Sequence, residues 1–190
     1  MPRRPGLNRE KVVQAAVELV NAEGAGALTL NRLAGRLGIQ IPSLYNHVDG
    51  LPGLQRELAL LSARSLGGQM AAAVMGKAGP AAVLALAQAY RDFAHQSPGL
   101  YALGLRSSAH AADAELDAAQ AQVVQVVLAV IASFGLQGED ALHAVRALRS
   151  VVHGFASLEM AGGFGLPLDC DESFRRLVAM LVAGLQAQAA

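Results

Sequence analysis

The 190-residue sequence predicts an all-α protein: an N-terminal three-helix helix-turn-helix unit followed by a larger helical domain. Three observations carry this. Hydrophobic residues make up 53% of the chain and alanine is abundant, with little strand-like alternation of apolar and polar residues. Apolar residues recur at i, i+3, i+4 and i+7 through most of the length. Glycine and proline gather mainly between those stretches, where they punctuate helices.

The first helix starts after Asn8, a residue suited to accept a backbone N–H of the first turn. It runs to about Glu23 with Val12, Ala16, Leu19 and Val20 as its buried stripe, and Gly24 and Gly26 end it. Thr29 caps the second helix, whose apolar face is Leu30, Leu33, Ala34 and Leu37. Gly38 stops that helix in the left-handed region. Pro42 suits the first turn of a third helix, because its missing N–H has no partner there in any case. Leu44 and Val48 point inward from this helix, and Ser43, Asn46 and His47 occupy the opposite face, with Tyr45 beside them. A pair of short helices with a glycine turn and a polar outward face is how a helix-turn-helix reads DNA.

A longer helix is expected from about Leu51 to Met75, with Asp49 as its cap and Gly67-Gly68 weakening its interior. Residues 76–80 form a loop, and a helix with Val83, Leu86, Tyr90 and Phe93 on one face follows to about Gln96. A short helical piece near 100–105 and a long helix from about Ala112 to Phe134 come next. Another long helix spans Asp140 to Glu159, with Leu142, Val145, Leu148, Val152 and Phe155 inward. Asp169 and Glu172 read as a capping pair for the last helix, whose stripe is Phe174, Leu177, Val178, Leu181 and Leu185. The expected division is a DNA-binding domain over 1–50 and a larger helical domain over 51–190.

Net charge is zero, but it is unevenly spread. Residues 1–48 hold Arg3, Arg4, Arg9, Lys11, Arg32 and Arg36 against Glu10, Glu18 and Glu23, which is 6 − 3 = +3, so the remainder is −3. A mildly basic end on an acidic body suits local phosphate contact. With no Trp and 4% aromatics, base stacking on an aromatic platform is disfavoured. One cysteine excludes an intrachain disulfide framework, and Asp169 and Asp171 beside Cys170 disfavour its thiolate. The N-terminus has no signal-peptide pattern, and the apolar stretch from Val123 to Leu136 is short for a membrane span. A soluble cytoplasmic protein with no membrane partner is expected.

The five histidines, His47, His95, His110, His143 and His153, lack close metal spacing. His110 with Asp113, Glu115 and Asp117 is better read as a solvated helix start, where acids suit the dipole. No metal, no cofactor and no catalytic constellation is expected, so the chain is read as a non-enzyme. Tyr90, Phe93, Tyr101, Phe134 and Phe155, with His153, are candidates to line an apolar pocket for a small molecule.

The motif over residues 28–48 and the surrounding helices resemble the TetR family of bacterial transcriptional regulators, most closely over the first 60 residues. The segment Val152-His153-Gly154-Phe155, through Gly162-Gly163-Phe164 and Asp171-Glu172-Ser173-Phe174, looks like one C-terminal subtype of that family. The resemblance implies a homodimer whose third helices enter the major groove of double-stranded operator DNA. It also makes 51–190 the ligand-binding and dimerisation domain, where a small-molecule effector changes the spacing of the two readers, most simply releasing a repressor. The expected DNA-contacting residues are Thr29, Asn31, Arg32, Gln40, Ile41, Pro42, Ser43, Tyr45, Asn46 and His47. Ser43 and Asn46 suit base edges, Ile41 and Pro42 a thymine methyl, and Thr29, Tyr45 and His47 phosphate oxygens. The family often places a Lys at the start of the fourth helix, where this chain has Leu51-Pro52, and the reading helix has no Arg or Lys. Both departures shift the electrostatic load to Arg3, Arg4, Arg9 and Lys11. They also motivate an alternative, a helical small-molecule binding protein with weakened DNA binding. The last two helices, with apolar stripes longer than one thin layer can bury, are the expected dimer seam.

Overall fold

A computed structural model of the chain describes residues 7–106 and 113–188. The arm residues Arg3 and Arg4, and His110, lie outside the described residues. All regular structure among the described residues is helical. The helices pack into two compact units.

The first unit holds α1 (Arg9–Glu23), α2 (Leu30–Leu37), α3 (Ile41–Leu44) and the first half of α4 (Gly50–Val74), together with α6 (Pro98–Arg106) and residues up to Asp117. It therefore groups the chain differently from a boundary at residue 50, because α6 packs on α1. Asn8 caps α1 by accepting the Lys11 N–H at 2.9 Å. Val12, Ala16, Leu19 and Val20 are all buried, as their spacing predicts. Asn21, near the end of α1, accepts the backbone N–H groups of Gly99 and Leu100 with its Oδ1, both at 3.1 Å. A side chain of one helix thus satisfies the open donors at the start of another. The approach is close enough to exclude a side chain at Gly99, where a Cβ would lie 2.0 Å from the Val20 carbonyl oxygen.

The second unit holds the last turns of α4 from Arg64, then α5 (Gly79–Gln96), most of α7 (Ala114–Ala132), α8 (Gly138–Met160) and α9 (Cys170–Gln188). Helix α4 runs unbroken through Gly67-Gly68. A Cβ on Gly67 would meet Val123 Cγ2 of α7 at 3.3 Å, so this glycine serves close packing. The inward face of α8 departs from expectation. Leu142 is exposed, and Ala141 and Ala144 take the buried places ahead of Leu148, Val152 and Phe155. Small residues let α5 and α9 come near, and they set the start of the face one position earlier than the larger residues suggest. On α9 the buried residues are Phe174, Val178, Val182 and Leu185, while Leu177 and Leu181 are half-buried. Asp169 caps α9 by accepting the Asp171 N–H at 2.7 Å and the Glu172 N–H at 3.3 Å. Glu172 does not complete a capping box. It binds Arg175 and Arg176 one turn on, and those two guanidinium groups pull its carboxyl down to about 2.

Candidate nucleic-acid interface

The corner between α2 and α3 is built as its residues dictate. Thr29 Oγ1 accepts the Arg32 N–H at 3.2 Å and starts α2. Leu33 and Ala34 are buried beneath it. Gly38 takes φ 67 and ψ 35 and returns its N–H to α2, the αL stop that a residue with a Cβ resists. Pro42 sits in the first turn of α3.

Regular α3 is shorter than expected, closing at Leu44 where the sequence pattern continues to Val48. Tyr45, Asn46 and His47 form further turns, with the His47 and Val48 N–H groups donating to the Leu44 carbonyl at 2.8 and 3.0 Å. Tyr, Asn and His are middling helix formers, and a single turn has no cooperativity of its own. Leu44 and Val48 nevertheless anchor the segment in the core, so its outward residues keep their facing.

On the outer side Thr29, Asn31, Arg32, Gln40, Pro42, Tyr45 and Asn46 are exposed, and Ile41, Ser43 and His47 are half-buried. Tyr45, Asn46 and His47 also line an open cleft of about 430 Å³ with Arg9, Asp49, Arg56 and Glu57. Charge in this unit is heavily paired. Arg9 binds Glu57, Arg32 binds Glu23, and Arg36 Nη2 lies 3.3 Å from Glu18 Oε2. Arg56 holds Asp113, ahead of α7, and Glu115 within its first turn. The Arg56 guanidinium keeps the Asp113 carboxyl below its ordinary range, helped by the Leu116 N–H that Asp113 also accepts. Asp113 and Glu115 are thus ion-pair partners of an arginine whose role the sequence reading does not assign.

The second unit contains a cluster that periodicity does not reveal. Arg91 of α5 is buried and forms a two-pronged bond to Glu159 of α8, with its Nε to Oε2 at 2.7 Å and its Nη2 to Oε1 at 2.5 Å. Its third nitrogen, Nη1, is 2.8 Å from Asp171 at the start of α9. The guanidinium carbon stands 5.6 Å from the Phe155 ring centre and 5.0 Å from that of Phe174. His95 Nε2 reaches Glu159 at 2.7 Å. Hydrogen bonds from Arg91 hold the Glu159 carboxyl below its ordinary range against the opposing effect of burial, with His95 adding to the shift.

Of the expected pocket residues, Tyr90, Phe93, Phe134 and Phe155 are buried and His153 is half-buried, all in this second unit. Tyr101 is buried in the first unit. Phe155 is already stacked by Phe164 and Phe174, with ring centres 4.7 and 5.0 Å away.

Comparison with known proteins supplies the frame for these two units. Residues 83–181 match the family model described as the tetracyclin repressor-like C-terminal domain. An HTH-type transcriptional regulator of Mycobacterium tuberculosis is 38% identical over 180 residues, covering 95% of this chain and 82% of that protein. The HTH-type transcriptional regulator YobS of Bacillus subtilis is 36% identical over 97% of this chain and 96% of its own. A solved structure from Rhodococcus sp. RHA1 superposes with a TM-score of 0.84 at 23% identity, covering 98% of this chain and 99% of that one, and shares the fold. This chain belongs to the tetracycline repressor-like family of helix-turn-helix transcriptional regulators.

Proposed function

We propose that the chain is a sequence-specific DNA-binding repressor in the cytoplasm, acting as a homodimer and released from its operator by a small molecule. The observation that carries this reading is the α2–α3 corner. It presents Asn31, Gln40, Ser43, Tyr45, Asn46 and His47 outward from a segment anchored by Leu44 and Val48. Amide and hydroxyl groups of this kind read base edges, Asn pairing best with adenine. We assign Ile41 and Pro42 to thymine methyls, and Thr29, Arg32, Tyr45 and His47 to the backbone.

The dimer is assigned to α8 and α9. Leu142, Leu158, Met160 and Met180 stand exposed on these two helices, an apolar surface of the kind a second copy covers. The effector is assigned to the second unit, among Tyr90, Phe93, Phe134, His153 and Phe155. Helix α7 has the length and apolar composition of a membrane span. We read it as a packed helix of a soluble regulator, because Leu116, Ala119, Val127, Val130 and Ile131 are buried on it.

Selection of DNA fragments on the purified protein tests the reading. With the selected duplex in hand, Asn46→Ala is expected to weaken its binding by about 1–3 kcal/mol and leave random duplex almost unaffected. Equal loss on both would move Asn46 from base reading to backbone contact. Failure to enrich any sequence would favour a small-molecule binding protein with weakened DNA binding, the reading that the lack of Arg and Lys in α3 motivates.

A further inference from the structure

The first unit neutralises its own cations. Among the described residues ahead of α4, Arg9, Arg32 and Arg36 each hold a glutamate. Two of the pairs join α1 to α2. Arg32, next to Asn31 in the first turn of α2, binds Glu23 at the end of α1, and Arg36, one turn on, reaches Glu18. We propose that Glu18 and Glu23 are specificity-determining residues. They occupy Arg32 and Arg36, hold down affinity for arbitrary DNA, and leave discrimination to the neutral groups of the α2–α3 corner. This inference rests on the reading of that corner as the DNA-contacting face.

The physical reason lies in what each kind of contact recognises. Phosphate contacts by free cations are blind to sequence, and each steepens the fall of log K with log salt by about 0.9. An arginine already on a carboxylate must exchange that carboxylate for a phosphate. The carboxylate left behind then stands beside the phosphate and repels it, so little counterion release is gained. Hydrogen bonds from Asn and Ser to base edges are not weakened this way. Specificity is the difference between the two affinities, and lowering the sequence-blind one raises it. All four side chains are partly exposed, at 52% and 37% for Arg32 and Glu23 and 40% and 51% for Arg36 and Glu18. Exposed pairs are weak enough to open where the surrounding geometry matches. The pairing also explains how a reader without a cation in α3 belongs to a DNA-binding family: selectivity comes from restraint of the backbone term.

The test uses the full-length protein and a fluorescent duplex of random sequence, with affinity followed from 50 to 200 mM salt. Replacing both carboxylates in E18Q/E23Q is expected to steepen the slope by about 2 and to raise affinity at low salt on the order of tenfold. The single variants Glu18→Gln and Glu23→Gln are expected to take about half that step each, and circular dichroism verifies that each is folded. The control D92N/D117N makes the same change of net charge on α5 and α7 and is expected to leave the slope unchanged. Should wild type and E18Q/E23Q both fail to bind duplex at low salt, the DNA-binding reading falls and this inference with it. Should wild type bind while E18Q/E23Q shows the same slope, or while the control steepens it equally, the inference alone is overturned.

Discussion

The two units use the same pair of charged groups in opposite ways. In the first, Arg9, Arg32 and Arg36 meet their glutamates at the surface, with 40–63% of each arginine side chain exposed. In the second, Arg91 is 8% exposed, pinned by Glu159 and stacked on two phenylalanines. An exposed pair is worth roughly 0–1 kcal/mol, because water solvates either partner once they separate. Arg91 is buried and Glu159 half-buried, so water reaches this pair poorly, and removing one member leaves the other with fewer partners than it had. The first kind can be traded for a new partner such as a phosphate; the second holds α5, α8 and the start of α9 in one arrangement.

The contrast is broken most severely at Arg91. Arg91→Ala is expected to destabilise the protein by about 1–3 kcal/mol, because the half-buried Glu159 loses its two-pronged partner and keeps only His95. Chemical denaturation measures this. Arg91→Met combined with Glu159→Leu is expected to recover most of the loss, since nothing charged then remains inside. A double variant as unstable as the single one would show that the cluster acts through shape.

Acid sharpens the same point. The Glu159 carboxyl lies below its ordinary 4.5, so its contribution is complete above that value and is lost as pH falls through the lower, folded value. Glu159→Gln does not titrate. The stability gap between wild type and Glu159→Gln is therefore expected to narrow as pH falls below 4.5. A gap that stays constant on acidification would mean that Glu159 does not ionise differently on folding.

Smaller effects are expected in the first unit. Asn21→Ala removes the cap that α1 supplies to α6 and is expected to cost about 0.5–2 kcal/mol. Faster amide exchange at Gly99 and Leu100 would locate the loss. Glu23→Gln is expected to change folding stability by less than about 0.5 kcal/mol, whatever it does to DNA binding. A loss of several kcal/mol there would make the α1–α2 pair structural and erase the contrast.

How much of this was legible beforehand depended on the range of the interaction. Asn8, Thr29, Gly38 and Pro42 act within four residues of themselves, so their types announce their roles, and the structure places each as its chemistry predicts. The stripe of α1 was equally readable because Val12, Ala16, Leu19 and Val20 are large or regularly spaced. On α8 Leu148, Val152 and Phe155 are buried as their spacing predicts, but at its start Ala141 and Ala144 are buried where pattern reading, which favours bulk, points to Leu142 and Val145. Arg91 and Glu159 lie 68 residues apart, and nothing local ties them. The one available signal was an Arg within the apolar stretch from Val83 to Phe93, a charge where burial is expected. Of the candidate site, the polar outer face of the corner was readable. The pairing of Arg32 and Arg36 was not, because it depends on the angle at which α2 meets α1.

The seat of α6 on α1 bears on how the protein is made. Asn21 and its backbone partners at Gly99 and Leu100 are 78 and 79 residues apart. The first unit resumes at Ser97 and ends at Asp117, so a ribosome that has finished residue 63 must still add 54 residues before the unit is whole. At synthesis rates of about 5–20 residues per second that interval lasts roughly 3 to 10 s. During it the face of α1 around Val20 has no helix to cover it, and the nascent reading head waits as an open, sticky surface for a segment not yet translated.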